Sequence, residues 1–459
     1  VARNLYPAIP DDPAREVLNH PAATRLADAM LERKWLGRKT NQGFYLMKKT
    51  ADGGKEFWAL NMETLEYEAP KKVEFESVKK HERVKPLGER IRLLMQESDR
   101  AGVYLFHMHA FYLAYASQRV PEITETIVNI DNAQKWGFGH EMGPFEIWDA
   151  IGVAENIARF EAAGYPVADW VKTMVADGHT SFYQRNAGGV AVGYYSPQQR
   201  AYVPMPEDAL RIKIEALRAA SGIPDGISEQ AGTPEAVRED LKTPQMIIAE
   251  NKDGALYDIG DGVLLWEFRS KQNTITKLFV EMGHTALEYL GKPEWKALVI
   301  GNDGERFSIG ANLMDAMGGG PEGIAQMIEG LQMLTLALKY APKPVVTAPF
   351  GMALGGGCEM ALAGDAIVAH AELYMGLVEF GVGLVPAGGG CKELVRRLVN
   401  PVAAAGADVL PPLQRAFENI ALAKVSESAK QAREMGFLGA GDRIVMNREY
   451  LIGEAKATA

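Results

Sequence analysis

VVTAPFGMALGGGCEMALAGD, residues 345–365, places a β-rich run before a glycine-rich turn and an apolar, alanine-rich run. Glycine has no Cβ, so the three glycines at 355–357 predict a tight turn that opens a helix and lets another group approach the backbone. The first N–H groups of a helix are unpaired and lie at the positive end of its dipole. Such a helix start can bind a phosphate or a developing oxyanion, and close packing of the helix on a strand is the alternative interpretation. GGGCE matches neither a phosphate-binding P-loop nor a Rossmann turn.

The sequence around this turn predicts a mixed α/β domain over residues 244–459. Short β-rich runs recur there with helical stretches between several of them, namely MIIAE, ALYDIG, VLLWEF, ALVIGN and VVTAPF. Apolar residues at helical spacing mark one of those helices, namely Ile324, Ile328, Leu331 and Leu338. Strands that alternate with helices favour this fold class.

The N-terminal half has a different, helical pattern. We interpret residues 1–46 and 86–200 as two helical blocks, because apolar residues recur in them at helical spacing. The charged, weakly periodic stretch 47–85 is typical of a connecting segment. Residues 201–243 are rich in Pro, Ala and charge, and predict a second linker.

Two features indicate a piece of a longer protein. The chain opens on Val1 and on a run, NLYPAIPDDP, that reads as the middle of a domain. The endings GFY (43–45) and SFY (181–183) follow a similar helical plan, which indicates an internal duplication. We therefore expect the first helical block to be a truncated copy of the second.

Composition excludes several classes of function. The chain has 459 residues, so two or three domains are expected. Its 49 basic and 59 acidic residues give a formal charge of −10, which argues against a nucleic-acid or anionic-membrane partner. No run approaches the roughly 18 apolar residues of a membrane span, and no signal peptide opens the chain, so a cytoplasmic protein is expected. The cysteines are Cys358 and Cys391 alone, so neither a disulfide framework nor a metal site is predicted.

Three segments of the C-terminal block resemble the enoyl-CoA hydratase (crotonase) family. FSIGANL (307–313) is similar to F-x-x-G-A-D-[LI], and the segment 348–369 is similar to G-x-A-x-G-G-G-x-E-[LM]. YMGLVEFGVGLVPAGGG (374–390) is similar to F-x-x-P-E-x-x-x-G-[LI]-x-P-x-x-G-G. The three occur in the family's order and at its spacing. The resemblance implies the crotonase ββα spiral fold for residues 244–459.

The resemblance also implies catalytic roles. The N–H groups of Ala311 and Gly356 are expected to form an oxyanion hole around a thioester carbonyl. Glu359 is expected to orient or deprotonate a water molecule, and Glu379 to exchange a proton with Cα. Adding water to an unsaturated thioester puts negative charge on the carbonyl oxygen and moves a proton at Cα, so it needs both fixed donors and two carboxylates.

Further residues are implied to contact the substrate. Gly310 and Gly355 flank the two oxyanion donors and are expected to bind the acyl-CoA thioester. SKQNTI (270–275) resembles an early CoA-contacting turn of the family. Lys271 within it is interpreted either as a contact to a CoA phosphate or as a solvated lysine.

The N-terminal half resembles a second family. WLGRKTNQGFY (35–45) and NIDNAQKWGFGHEMGPFEIWDAIG (129–152) are similar to the C-terminal helical repeats of 3-hydroxyacyl-CoA dehydrogenases. The whole order resembles bacterial fused 3-hydroxyacyl-CoA dehydrogenase/enoyl-CoA hydratase proteins of fatty-acid β-oxidation. It implies a multi-domain fold, all-α dehydrogenase repeats followed by an α/β crotonase domain. NAD belongs to a Rossmann domain in that family, and no G-x-G-x-x-G after a strand occurs here, so no cofactor is expected for this fragment.

The leading functional hypothesis is the hydratase half of a bifunctional enzyme, which adds water to trans-2-enoyl-CoA and gives 3-hydroxyacyl-CoA. A Δ3,Δ2-enoyl-CoA isomerase needs only a base like Glu379, and the presence of Glu359 argues against it. A non-catalytic scaffold for a dehydrogenase domain is the third interpretation. The crotonase resemblance implies a homo-oligomer in which C-terminal helices complete the pocket. Because the chain ends at residue 459, we expect those helices to be partly missing and the fragment to be weak or inactive.

Overall fold

A computed structural model shows two compact units, Val1–Met205 and Pro206–Ala459. Their boundary falls inside the predicted linker 201–243. Most of that linker, like Leu313 of the FSIGANL segment, lies outside the described residues. The structure describes residues 2–50, 53–186, 189–206, 208, 210–214, 217–218, 247–312 and 320–459.

The first unit is predominantly helical, as predicted. Its helices are α1 (Ala2–Ala8), α2 (Pro21–Glu32), α3 (Glu76–His81), α4 (Leu87–Leu94), α5 (Arg100–Gln118), α6 (Ile127–Phe138), α7 (Pro144–Ile151), α8 (Val153–Ala162) and α9 (Asp169–Ala176). Large apolar side chains from several of them are fully buried in one core, among them Leu113, Phe145, Trp148 and Phe160. Burial of these side chains stabilises the unit by about 2 kcal/mol each.

The prediction of a connecting segment at 47–85 was wrong. Strands β1 (Tyr45–Lys49), β2 (Lys55–Leu60) and β3 (Tyr67–Glu68) form an antiparallel sheet in that order, and α3 follows them. These strands are short and largely exposed, so their residues lack the alternation of apolar and polar side chains that marks a half-buried strand.

A second antiparallel sheet lies at the end of the first unit. It joins β4 (Tyr183–Arg185), β5 (Ala191–Ser196) and β6 (Ala201–Pro204), so the first four residues of the predicted linker 201–243 form a strand of the first unit. The Tyr of SFY begins β4, just as the Tyr of GFY begins β1. The two tripeptides that indicated a duplication, GFY and SFY, therefore each lead into a three-stranded antiparallel sheet.

The second unit has the mixed α/β class predicted from its sequence. Its described strands form a main sheet in the order β15-β13-β11-β10-β9-β8-β7, and a parallel pair, β12 and β14, lies beside it. The pairs β7–β8 and β8–β9 are antiparallel, and the pairs from β9 to β15 are parallel. The strands are β7 (Ile247–Asn251), β8 (Gly254–Asp258), β9 (Val263–Phe268), β10 (Ala297–Ile300), β11 (Val345–Thr347), β12 (Gly351–Leu354), β13 (Ala366–His370), β14 (Leu373–Gly376) and β15 (Arg443–Val445).

Helices pack on this sheet and carry the loops of the site. Strands β9, β10 and β11 are buried along their whole length, and their residues are apolar except Glu267 and Thr347, as expected of a parallel sheet covered on both faces. The predicted helix with Leu331 and Leu338 is confirmed, and both side chains are buried. The helices are α10 (Lys277–Gly291), α11 (Gly320–Lys339), α12 (Gly356–Leu362), α13 (Gly390–Leu394), α14 (Asn400–Ala404), α15 (Leu410–Ala421), α16 (Ala429–Met435) and α17 (Leu451–Thr458).

In the described part of the chain, no helix is both long and apolar enough to cross a lipid bilayer. Within the same ranges, no group of three or more His, Cys, Asp and Glu side chains is arranged to hold a metal ion.

Candidate active site

The glycine-rich turn opens a helix, as predicted. Strand β12 ends at Leu354, Gly355 takes a φ of +55°, and α12 begins at Gly356. A Cβ on Gly357 would lie 2.5 Å from the carbonyl oxygen of Ser308, so only glycine lets the 307–312 segment lie this close to the helix start. Glu359 falls in the first turn of α12 and is only 3% exposed.

Backbone amides hydrogen-bond to the Glu359 carboxylate. The Gly390 N–H donates to Glu359 Oε1 at 2.9 Å. Burial raises the pKa of Glu359, and the amides of Gly390 and Gly388 oppose that rise because they stabilise the ionised form. A Cβ on Gly388 would lie 2.5 Å from Glu359 Oε2, so the loop can lie this close to the carboxylate only because residue 388 is a glycine.

Glu379 has the opposite environment. It follows β14 at the start of a 3-10 helix, Glu379–Val382, and both of its carboxylate oxygens are buried without a partner in the described chain. Burial first, and then the negative charge of Glu359, raise the pKa of Glu379 to about 7. A Cβ built on Gly355 would lie 3.4 Å from Glu379 Oε1, so this carboxylate faces the turn that opens α12. The structure thus brings the two predicted carboxylates to one site, one hydrogen-bonded and one bare.

Two backbone N–H groups point to the same turn. Neither the N–H of Ala311 nor that of Gly356 donates to any residue that the structure describes. A Cβ built on Gly356 would lie 3.5 Å from the Ala311 nitrogen, so the two amides are close neighbours. Fixed donors of this kind are suited to a developing oxyanion.

Ser308 and Ile275 fix the segment that carries Ala311. The Gly310 N–H donates to Ser308 Oγ at 3.1 Å, and the Gly310 carbonyl accepts from the Ile275 N–H at 2.9 Å. The φ of Gly310 is +92°, a conformation that favours glycine. Both polar backbone groups of Gly310 are thereby used within the protein, and the Ala311 N–H that follows donates to no described residue.

The predicted substrate contacts lie around these groups. Gly310 and Gly355 border the two amides. Lys271 begins a 3-10 turn, Lys271–Asn273, and is exposed. Ile275, which ends the same stretch, pairs with Ala311 in a parallel bridge, so this turn leads directly into the site.

Models of two protein families match the chain. Residues 258–407 match enoyl-CoA hydratase/isomerase, and residues 102–187 match the C-terminal domain of 3-hydroxyacyl-CoA dehydrogenase. This chain therefore joins a dehydrogenase C-terminal domain to a crotonase domain. The order and the fold of these two domains are those that the sequence motifs implied.

The chain is similar to curated proteins over part of their length. A probable 3-hydroxyacyl-CoA dehydrogenase of Bacillus subtilis is 38% identical over all of this chain and 53% of its own length. A putative fatty acid oxidation complex trifunctional enzyme of Rickettsia felis is 26% identical over 86% of this chain and 47% of its own. A carnitinyl-CoA dehydratase of Citrobacter koseri is 36% identical over 28% of this chain and 50% of its own. The chain spans about half the length of the first two of these relatives, 53% and 47%.

Sequence reasoning missed the groups that hold Glu359. The amides of Gly388 and Gly390 lie inside the quoted 374–390 segment of the crotonase domain, but no role followed from their identity as glycines. Their spacing to the carboxylate is set by tertiary contacts between α12 and a loop about 30 residues later. Glycines at both positions were the one available signal of a close backbone approach.

Proposed function

We propose that this chain hydrates trans-2-enoyl-CoA thioesters to 3-hydroxyacyl-CoA. The observation that carries the proposal is the buried pair Glu359 and Glu379 beside the backbone N–H groups of Ala311 and Gly356, which donate to no described residue. No redox cofactor is needed, because hydration transfers no electrons. The CoA thioester is the substrate class that fits an enoyl-CoA hydratase/isomerase domain.

The environments of the two carboxylates support the roles of base for Glu359 and acid for Glu379. Amide donors favour the ionised form of Glu359, which can take a proton from water as the oxygen bonds to Cβ. No other described residue donates to Glu379, and burial raises its pKa to about 7, so it can hold a proton and deliver it to Cα. The C=C bond gains H at Cα and OH at Cβ, and the pair ends with one proton, now on Glu359. The N–H groups of Ala311 and Gly356 stabilise the enolate oxygen that forms between these steps.

The direct test is loss of the enoyl absorbance of crotonyl-CoA on mixing with the purified chain. Turnover that depends on enzyme concentration is expected. A chain that converts 3-enoyl-CoA but not crotonyl-CoA would instead be an isomerase. A chain that gives no binding heat with acyl-CoA in calorimetry would be a scaffold, and the proposal would fail.

The wider role is also a proposal. We propose that the 3-hydroxyacyl-CoA product passes to a dehydrogenase activity in fatty-acid oxidation. The names of the longer relatives support this step, since they combine dehydrogenase and fatty-acid oxidation functions. A coupled assay with a 3-hydroxyacyl-CoA dehydrogenase and NAD should convert the product, and failure to do so would identify a different product.

The pH profile of hydration should have an alkaline limb near neutrality. The working pair carries one proton, and Glu379 loses it as the pH rises through about 7. We expect kcat/KM for crotonyl-CoA to fall about tenfold per pH unit above that point, as for a single essential acid. Rates measured between pH 6 and 9 test this expectation. A flat profile over that range would contradict the role of Glu379 as the acid.

A further inference from the structure

The loop that holds Glu359 is itself held from its other side. We call residues 386–390, PAGGG, the glycine strap. Three consecutive carbonyls of the strap each accept a hydrogen bond from a side chain: Pro386 from Cys391 Sγ at 3.4 Å, Ala387 from Gln332 Nε2 at 2.7 Å and Gly388 from Thr335 Oγ1 at 2.6 Å. Two of these three carbonyls are therefore bound by side chains of α11. The amides of Gly388 and Gly390 stabilise the ionised form of Glu359.

Thr335 is the most deeply buried of these anchors. It is 4% exposed and lies on the face of α11 that also buries Leu331, Leu334 and Leu338. A hydroxyl among leucines is costly to bury unless it is hydrogen-bonded. Thr335 Oγ1 also lies 3.1 Å from the Gln332 carbonyl, but its single proton favours the shorter contact with Gly388.

The contact with Gly388 reaches the carboxylate through one residue, because the two peptide units that meet at the Gly388 Cα are held by Thr335 at the Gly388 carbonyl and by Gln332 at the Ala387 carbonyl. Gly388 carries both the carbonyl that Thr335 holds and an amide that stabilises ionised Glu359. Because a Cβ on Gly388 would lie 2.5 Å from Glu359 Oε2, the strap is packed against the carboxylate without spare room. Loss of the Thr335 contact would free the peptide that follows Gly388, and with it the backbone that places the Gly388 and Gly390 amides on Glu359.

We propose that Thr335 is a positioning residue for catalysis, which fixes the glycine strap so that its amides hold Glu359 ionised and correctly placed. Gln332 acts in the same way on the neighbouring carbonyl. This inference rests on the proposed function, because it needs Glu359 to act on water. The residue touches no reacting atom in this arrangement and works through the strap.

Three ionisable groups that interact electrostatically with Glu359 do not mimic this effect. They are Glu379, whose ionisation sets the alkaline limb, and the two thiols of Cys358 and Cys391. Burial raises the pKa of both thiols, so they stay neutral at the pH values where Glu359 titrates. The acid limb of the profile therefore reports on Glu359.

The test compares Thr335→Val, which keeps the shape and removes the hydroxyl, with Thr335→Ser, which keeps the hydroxyl. Thr335→Val is expected to lower kcat for crotonyl-CoA about tenfold with KM changed less than about twofold, as for loss of one hydrogen bond. Its acid limb should move to higher pH, because Glu359 loses amide donors. Thr335→Ser should restore both properties. Thr458→Val is the matched control, since that hydroxyl also donates to a backbone carbonyl, Glu454 O at 2.7 Å, on α17.

The possible outcomes are separable. Wild-type rate and an unmoved acid limb in Thr335→Val would overturn the inference while leaving the proposed function intact. A lower kcat with an unmoved limb would show a merely structural role and would overturn it as well. If Thr335→Val fails to fold, Gln332→Met decides, because its exposed side chain leaves no cavity; an unmoved limb there overturns the inference. A wild type that hydrates nothing would defeat the proposed function first.

Discussion

Replacing Glu359 by glutamine is expected to slow hydration of crotonyl-CoA about a thousandfold without unfolding the chain. Glutamine has nearly the same size, and its carbonyl oxygen can still accept from the Gly390 N–H that now binds Oε1. It cannot take a proton from water, and general-base catalysis of this kind typically contributes a factor of about 10² to 10⁴. The measurement is kcat from the loss of enoyl absorbance, together with the midpoint of thermal unfolding.

A matched control separates charge from chemistry. Glu372→Gln also removes one negative charge, from an exposed glutamate that immediately precedes β14. It should retain the wild-type rate within about twofold, because surface charges of this kind have small effects. If Glu359→Gln keeps more than a tenth of the wild-type rate, Glu359 is not the base.

The placement of Glu359 could be predicted because it depends on local sequence. Three glycines after a β-rich run, followed by an apolar run, predicted a helix start at 355–357, and α12 begins at Gly356. A glutamate three residues later must then lie in the first helical turn. Neither step requires a contact from elsewhere in the chain.

The residues that surround Glu359 and influence its pKa could not be predicted in this way. Thr335 and Gly388 are 53 residues apart, and their contact exists because α11 packs over the strap. A threonine within a helix of leucines carries no sequence signal of what its hydroxyl will bind. The environment that separates the two carboxylates thus depends on tertiary packing, although the carboxylates themselves stand in recognisable motifs.

The same contrast explains the missed strands of the first unit. Strand β2 has the sequence KEFWAL and is buried only at its end, so its pattern of charges resembled a solvated connection. Its pairing with β1 gives it structure through backbone hydrogen bonds, which any residue except proline can form. Such strands are visible in sequence only when one face is buried.

Glu379→Gln is expected to lose activity and gain stability at alkaline pH. Glutamine holds no proton that it can deliver to Cα, so hydration should again fall about a thousandfold. The stability effect has a separate cause. The wild-type carboxylate is buried without a partner, and its pKa is raised from 4.5 to about 7, so the folded chain binds a proton that the unfolded chain has released between those values.

The sign of the stability change follows from that proton. The contribution of Glu379 to stability is fully present below about pH 4.5 and is lost as the pH rises to about 7. A tenfold change in proton affinity on folding corresponds to about 1.4 kcal/mol, and partial exposure of Glu379 reduces the total to about 1–3 kcal/mol. Urea unfolding of wild type and Glu379→Gln at pH 5 and pH 8 isolates the effect, because the difference between the chains cancels the other titrating groups. The free energy of unfolding of Glu379→Gln minus that of the wild type should be larger at pH 8 than at pH 5, by about 1–3 kcal/mol. The same difference for Glu372→Gln should not change between the two pH values. An equal difference at both pH values would mean that the Glu379 carboxylate is either solvated or bound by a donor. The structural basis for its role as the acid would then be lost.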